Sequence, residues 1–260
     1  MKLWMLVGGW VETSLVDVLE HVSFTLWLSH CNFKCPWCSN WAMARGLKKN
    51  IVSLDTILKK VVNAAPFIDY FHVTGGEPTL QYKTLYELFK KIRRSTGVLL
   101  SLDTNGSLPY ALRKLLPLLD HVAMDVKAPL GDIMKYSRVV GLSPSLTRKI
   151  IPLIRESLKI IETVPFLEIR TTIVPGLVEE KEVVEVARFL HKELKLKPRG
   201  ERAVFVVQQF IPYEGVPKEY SLKPRTPPSI VREIALKVAE VLEEFEVYYR
   251  TLEDGSRKIK

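Results

Sequence analysis

The sequence predicts an α/β protein built as a partial (βα)6 TIM-like barrel with parallel strands. Three observations carry this. Short apolar segments with strand periodicity alternate six times with segments striped at helical spacing. No Gly/Ser linker or shift in composition divides the chain, so one domain over 1–260 is expected, with its core at about 20–245 and an extension at 246–260. Polar residues gather just past the strand segments, where parallel α/β folds place their ligands. Six units fall short of the eight that close a full barrel, so the barrel is expected to stay open.

The elements follow in order. After an N-terminal stretch containing Gly8-Gly9, His21 to Ser29 alternates apolar and small polar residues, as a strand does. Ser53 is a candidate N-cap for a helix carrying Leu54, Ile57, Leu58, Val61 and Val62. Ile68 to Thr74 is the second strand, and Leu85, Leu88, Phe89 and Ile92 mark the next helix. Val98 to Asp103 is the third strand, followed by a short helix at Leu112 to Leu116. His121 to Asp125 is the fourth, before a long helix from Leu146 to Ile161 that Pro152 should kink or break. Phe166 to Val174 precedes a helix striped by Val183, Val186, Ala187 and Leu190. Val204 to Phe210 is the sixth strand and Ile230 to Phe245 the sixth helix. Glu246 to Arg250 either adds a final strand or packs across the end. Glu214 to Pro228, rich in Pro, Lys and Tyr, is the longest irregular stretch and a candidate partner-contacting loop.

Hydrophobic residues make up 47% and charged residues 26%, which suits a packed globular core. No apolar run reaches the ~18 residues of a spanning helix. The start lacks a secretory pattern, so a cytoplasmic chain with no membrane partner is expected. The net charge of +9 admits a nucleic-acid partner. The basic pairs are spread along the chain, however, as lysines and arginines coating outer helices would be.

All three cysteines lie in Cys31-Asn-Phe-Lys-Cys35-Pro-Trp-Cys38. No partner elsewhere allows a disulfide framework. Three thiols within one loop suit a single metal centre, because thiolates select zinc or iron–sulfur clusters. Structural zinc normally takes four protein ligands, and His30, adjacent to Cys31, is poorly placed as the fourth. A cubane held by three cysteines keeps one iron open for chemistry. The cluster reading is favoured, with zinc and buried inert thiols as alternatives. The strand ends add Gly75-Gly76-Glu77-Pro78, Asp103-Thr104-Asn105, Asp125-Val-Lys127, Arg170 with Thr171 and Thr172, and Gln208-Gln209. Each alone passes for a turn or cap residue, but together they point to one rim.

The spacing CxxxCxxC, with Trp37 before the last cysteine, resembles the signature of the radical S-adenosylmethionine superfamily. That resemblance implies a 4Fe-4S cluster on Cys31, Cys35 and Cys38, and S-adenosylmethionine chelated at the open iron through its amine and carboxylate. It further implies reductive cleavage to methionine and a 5′-deoxyadenosyl radical. Gly75-Gly76-Glu77-Pro78 resembles the GGEP motif, whose backbone and carboxylate bind the cofactor amine; glycines permit close approach and a carboxylate accepts from an ammonium. Arg170 is similar in position to a guanidinium that meets the methionine carboxylate. Trp37 is implied at the adenine edge, with core packing as the alternative; Asn105 and Gln208 join the implied cofactor-binding set.

More narrowly, the chain resembles activating enzymes of glycyl-radical enzymes, in the anaerobic ribonucleotide reductase and pyruvate formate-lyase groups. The residues are Gly8 to Asp17, Leu102-Asp-Thr-Asn-Gly106, Met124-Asp-Val-Lys127 and Val174-Pro-Gly176. This implies Asp103, Thr104 and Asp125 around a monovalent cation. Lys127 stands nearby as a cofactor contact and the one candidate catalytic side chain beyond cluster and cofactor. It also implies a protein substrate, whose glycine loses a hydrogen atom, and a low-potential electron donor. Ser39 stands where these enzymes usually have His, and Gln-Gln-Phe-Ile-Pro follows the last strand where another His is usual. A radical enzyme acting on RNA or a small molecule such as a deazapurine precursor is therefore the alternative. With no fourth cysteine, a cysteine-bound second cluster is disfavoured. A non-catalytic metal- or nucleic-acid-binding module would leave Asp103, Asp125, Lys127 and Arg170 without a role.

Overall fold

The computed structural model describes residues 3–212 and 215–259. It begins with an antiparallel hairpin, β1 (Trp4–Val18) and β2 (His21–Leu28), turning at Leu19-Glu20. A short α1 (Trp41–Ala44) leads to β3 (Asn50–Ser53), which pairs with the start of β1. Helix α2 (Leu54–Ala64) is capped as expected, the Ser53 side chain accepting from the Thr56 N–H. Then come β4 (Tyr70–Gly75), α3 (Tyr82–Ser95), β5 (Leu99–Thr104), α4 (Pro109–Leu115) and β6 (His121–Asp125). Next are α5 (Ile133–Val140), α6 (Pro144–Ile160), β7 (Phe166–Ile173), α7 (Glu180–Arg188) and β8 (Arg202–Gln209). The chain closes with α8 (Lys218–Ser221), α9 (Pro228–Ala239), β9 (Glu246–Thr251) and β10 (Gly255–Lys258).

Among the described residues the strands form one sheet, ordered β10-β9-β8-β7-β6-β5-β4-β2-β1-β3. The six expected strands are all present and parallel, and β9 joins β8 as a seventh parallel strand. Residues outside 20–245 thus supply three strands to the same sheet, the whole of β1 together with β9 and β10. Other differences have local causes. Helix α6 runs through Pro152 unbroken: Pro152 lies on the exposed side, where water can take the carbonyl it leaves unpaired. Helix α5 has an Asp132 N-cap and a left-handed Gly141 at its end. Helix α9 stops at Ala239, short of Phe245. The segment beginning at Glu214 holds α8, while Glu214 itself lies outside the described residues.

Alternation along the strands sorts the core. Phe71, Val73, Leu100, Leu102, Val122 and Met124 face the helices in one large apolar layer. The intervening residues point into the barrel. Near its foot a smaller cluster of Val18, Leu19, Tyr70, Phe166, Val204, Val206 and Tyr248 plugs the interior. There Glu20, in the β1–β2 turn, accepts from the Tyr248 hydroxyl at 2.9 Å and pairs with Arg202 at 3.0 Å. The hairpin is thereby pinned to the far side of the sheet at the foot, while the seam above stays open.

Candidate functional site

The cysteine loop leaves the end of β2 and is docked from three sides. The Gly76 N–H donates to the Leu28 carbonyl and the Glu77 N–H to the His30 carbonyl, each at 2.8 Å. The Cys31 N–H bonds the Ala44 carbonyl at 2.9 Å, the Lys34 N–H the Val140 carbonyl at 2.8 Å, and the Trp37 indole the Val139 carbonyl at 2.9 Å. A Cβ on Gly75 would collide with the Leu28 backbone, and one on Gly76 with the His30 carbonyl. Both glycines are therefore needed for the loop's seating as well as for open space at the rim. Gly76→Ala is expected to cost roughly 1–3 kcal/mol through this overlap. Thermal unfolding together with iron uptake checks it: both should fall, whereas an unchanged pair would mean that the loop is not seated on the glycine.

Cys31, Cys35 and Cys38 are free thiols, all facing one cavity of about 580 Å³ at the C-terminal ends of the strands. Burial pushes the Cys31 and Cys35 thiols up to about 12 and raises Cys38 as well. Lys127 works against this at each of the three. Its own ammonium is buried, which disfavours the charge, but Asp125 at 3.0 Å and the thiols outweigh burial and hold its pKa above the ordinary value. The same ammonium stands 5.2 Å over the Trp37 ring. Sulfur also meets donors: the Phe33 N–H lies 3.3 Å and the Asn105 amide 3.8 Å from Cys31 Sγ.

This donor set fits a cluster better than zinc. The His30 ring lies against Gly46 and does not line the cavity, so it completes no tetrahedron. Among the described residues no three His, Cys, Asp or Glu side chains are arranged to hold one metal ion. Cysteines of a cubane each take a different iron and stand further apart, and three of them leave the fourth iron without a protein ligand.

Trp37, Gly75, Gly76, Asp103, Thr104 and Asn105 line the cavity, as do Asp125, Lys127, Arg170 and Gln208. Trp37 is also buried and edge-packed on Phe210, so it serves core and cavity wall together. Glu77 and Pro78 are not on the wall. Glu77 is turned inward, where it accepts from Thr79 (N–H at 3.1 Å, and the hydroxyl), the Thr104 hydroxyl at 2.8 Å and the Asn105 N–H at 2.7 Å. Its carboxylate brackets the ends of β4 and β5 instead of facing a cofactor amine. Arg170 bridges Asp103 at 2.7 Å and Asp125 at 3.1 Å. The positive charge between these carboxylates is thus the guanidinium, in the place the resemblance gave to a monovalent cation. Thr104, its implied third ligand, spends its hydroxyl on Glu77.

Below the rim runs a buried polar chain that sequence reasoning missed. Ser101 Oγ lies 2.7 Å from the Nδ1 atoms of both His72 and His121. The other ring nitrogens face Asp103 at 3.6 Å and Glu168 at 3.7 Å, and Glu168 also meets Arg250 at 3.4 Å. Burial opposes both carboxylate charges. Arg170 and His72 nevertheless hold Asp103 below the carboxylate range, and Arg250, His121 and Arg170 hold Glu168 at about 2. Burial pushes His121 down from 6.5. Below 6.5, and more steeply below 4.5, the unfolded chain therefore takes up protons that the folded chain refuses. Above pH 4.5 buried Glu77, whose pKa is raised by desolvation, offsets His121, so melting temperature is expected to fall chiefly as pH drops from 4.5 to about 2; a flat acid limb would contradict the assignment.

Comparison with known proteins agrees with this geometry. The family model described as the radical SAM superfamily matches residues 27–190, a stretch holding the cysteine loop, both glycines, Asp103, Lys127 and Arg170. A curated protein of Methanocaldococcus jannaschii, designated a glycyl-radical enzyme activating enzyme, is 28% identical over 239 residues, 90% of this chain and 92% of its own. A second protein of that organism with the same designation is 33% identical over 182 residues, 66% of each chain. The FeFe-hydrogenase maturase of Carboxydothermus hydrogenoformans shares the fold at 16% identity, with a TM-score of 0.63 over 88% of this chain and 53% of that one. With well over half of its length matched, this chain belongs to the radical S-adenosylmethionine superfamily, whose cofactors are a 4Fe-4S cluster and S-adenosylmethionine.

Proposed function

We propose that this protein is a glycyl-radical enzyme activating enzyme, which removes a hydrogen atom from a backbone glycine of a partner protein. One observation supports it above others: the seam between β1 and the β9–β10 side leaves the cavity open laterally, with Val16 and Asp17 on one wall and Gln208 and Arg250 on the other. A protein loop can enter there. The designations of the two relatives agree with this reading.

In this reading Cys31, Cys35 and Cys38 hold the cluster. Cluster and cofactor together supply reductive cleavage of the sulfonium to methionine and a 5′-deoxyadenosyl radical. The chain's own residues bind and orient. The backbone at Gly75-Gly76 receives the amino group, and an Arg170 N–H not spent on Asp103 or Asp125 receives the carboxylate. Trp37, Asn105 and Gln208 bound the nucleoside side. Lys127 offsets negative charge at the thiolates and keeps Asp125 paired. The electron comes from a low-potential donor protein, and the expected setting is the reducing cytoplasm.

The test is anaerobic reconstitution, mixing with a candidate glycyl-radical protein, and electron paramagnetic resonance. A glycyl doublet is the expected result. A flat spectrum, with turnover on RNA or a nucleobase instead, would select the RNA or small-molecule reading, which the net charge of +9 favours.

A further inference from the structure

Strand β1 runs for fifteen residues, yet β3 pairs only with Trp4 to Val7. From Gly8 to Val18 its outer edge has no strand partner among the described residues. Apart from pairing with β2, the backbone there makes only a local bond among the described residues, from the Val16 N–H to Ser14 Oγ at 3.4 Å. A long open edge is a template for another chain in extended form, and proteins usually blunt such edges with proline or outward charges. This stretch has no proline. Of its two charged residues, Glu12 is tied to Lys60 at 2.8 Å and Asp17 turns to the Thr25 hydroxyl at 2.7 Å.

The edge also leads somewhere. Two register irregularities, between Val11 and Ser14 and between Ser14 and Val18, re-aim the strand. They bring Val16 and Asp17 onto the cavity wall and leave Leu15 73% exposed, with Val11 exposed further up. At the foot the seam is shut by Glu20, Arg202 and Tyr248, so a chain lying along the edge is directed up to the rim and the thiols. Open main-chain groups specify an extended polypeptide as occupant, for neither a small molecule nor RNA offers a matching ladder.

We propose that the free edge of β1, Gly8 to Val18, is the docking strand for an extended, glycine-bearing segment of the protein substrate, which adds to the sheet by main-chain hydrogen bonds. This rests on the protein-substrate reading above. Val11 and Leu15, which the register with β2 puts on opposite faces of β1, each supply apolar contact to side chains on their own face of the added strand, and a glycine opposite the cavity presents its Cα–H with no side chain in the way.

Two arms test it. In the first, hydrogen–deuterium exchange is followed on the reconstituted protein with a short capped peptide of alternating Thr and Val around one Gly, at millimolar concentration. Exchange across residues 8–18 should slow by about tenfold, and a peptide N-methylated at alternate amides should have no effect. No slowing, slowing by both peptides, or a dimer of the free protein already protected along 8–18 overturns the proposal. In the second arm, Val11→Lys and Leu15→Lys should each raise KM for the glycyl-radical partner about tenfold. Deoxyadenosine release without partner should not change. Slowed exchange with no glycyl doublet sustains the docking edge and removes the glycine reading. A doublet whose yield and KM the lysine variants leave untouched overturns the edge.

Discussion

Arg170→Met is expected to be the most destabilising single change in the rim. The guanidinium is buried among Asp103 at 2.7 Å, Asp125 at 3.1 Å and Glu168 at 3.7 Å, and these partners hold its pKa well above the ordinary value against the cost of burial. Removing it leaves Lys127 for Asp125 and Arg250 for Glu168, but Asp103 keeps only the Thr74 hydroxyl and His72. Breaking a buried ion pair from one side costs about 3–5 kcal/mol. For a chain of this size that lowers the melting temperature by roughly 10 °C. Asp103→Asn on top of Arg170→Met should recover part of the loss, because the stranded charge goes with it. Arg170→Lys should not restore the wild-type value, since an ammonium cannot bridge both carboxylates in the planar fork geometry. A melting temperature unchanged in Arg170→Met would mean that the ion cluster is not formed.

Cys35→Ser is expected to have the largest effect on activity. Cys35 is the most buried of the three thiols and sits between the other two in the loop, so no nearby side chain replaces it. Iron and sulfide bound after anaerobic reconstitution should drop by more than half, and formation of 5′-deoxyadenosine should fall at least about a thousandfold, to background. Far-UV circular dichroism should stay close to wild type, because the loop is docked by Gly76, Glu77, Lys34 and Trp37 and not by the thiols. A variant that keeps its iron and its turnover would remove Cys35 from the cluster.

Much of the fold was legible because its signals are local. Alternation marks β2 and the apolar strands β4 to β8, and Ser53 marks the start of α2. The cysteines and the two glycines are contiguous motifs, so their place on the rim follows from the strand they end. What escaped was set by tertiary partners. Strand β1 breaks its alternation at Gly8-Gly9 and at two bulges, and the turn at Leu19-Glu20 has none of the usual hairpin residues. For Glu246 to Arg250 the sequence allows a strand or a segment packed across the end, and it is parallel pairing with β8 that makes it strand β9.

The site divides the same way. The family resemblance implied that Glu77 and Arg170 face the cofactor. The structure turns Glu77 toward Thr79, two residues along its own turn, and toward Thr104 and Asn105, which the β4–β5 pairing brings near. Arg170 does line the cavity, but two carboxylates from neighbouring strands already engage it. The chain through His72, Ser101, His121 and Glu168 draws one residue from each of four strands, and nothing in any single segment distinguishes them from ordinary strand residues.

The measurement that bears most directly on the account is product analysis of S-adenosylmethionine incubated anaerobically with the iron-loaded protein and dithionite. Methionine and 5′-deoxyadenosine, formed by the wild type and absent from Cys35→Ser, are the expected result. Wild-type protein that binds its full iron and sulfide yet leaves the cofactor intact would contradict the claim that three thiols and this rim form an open-cornered cluster site.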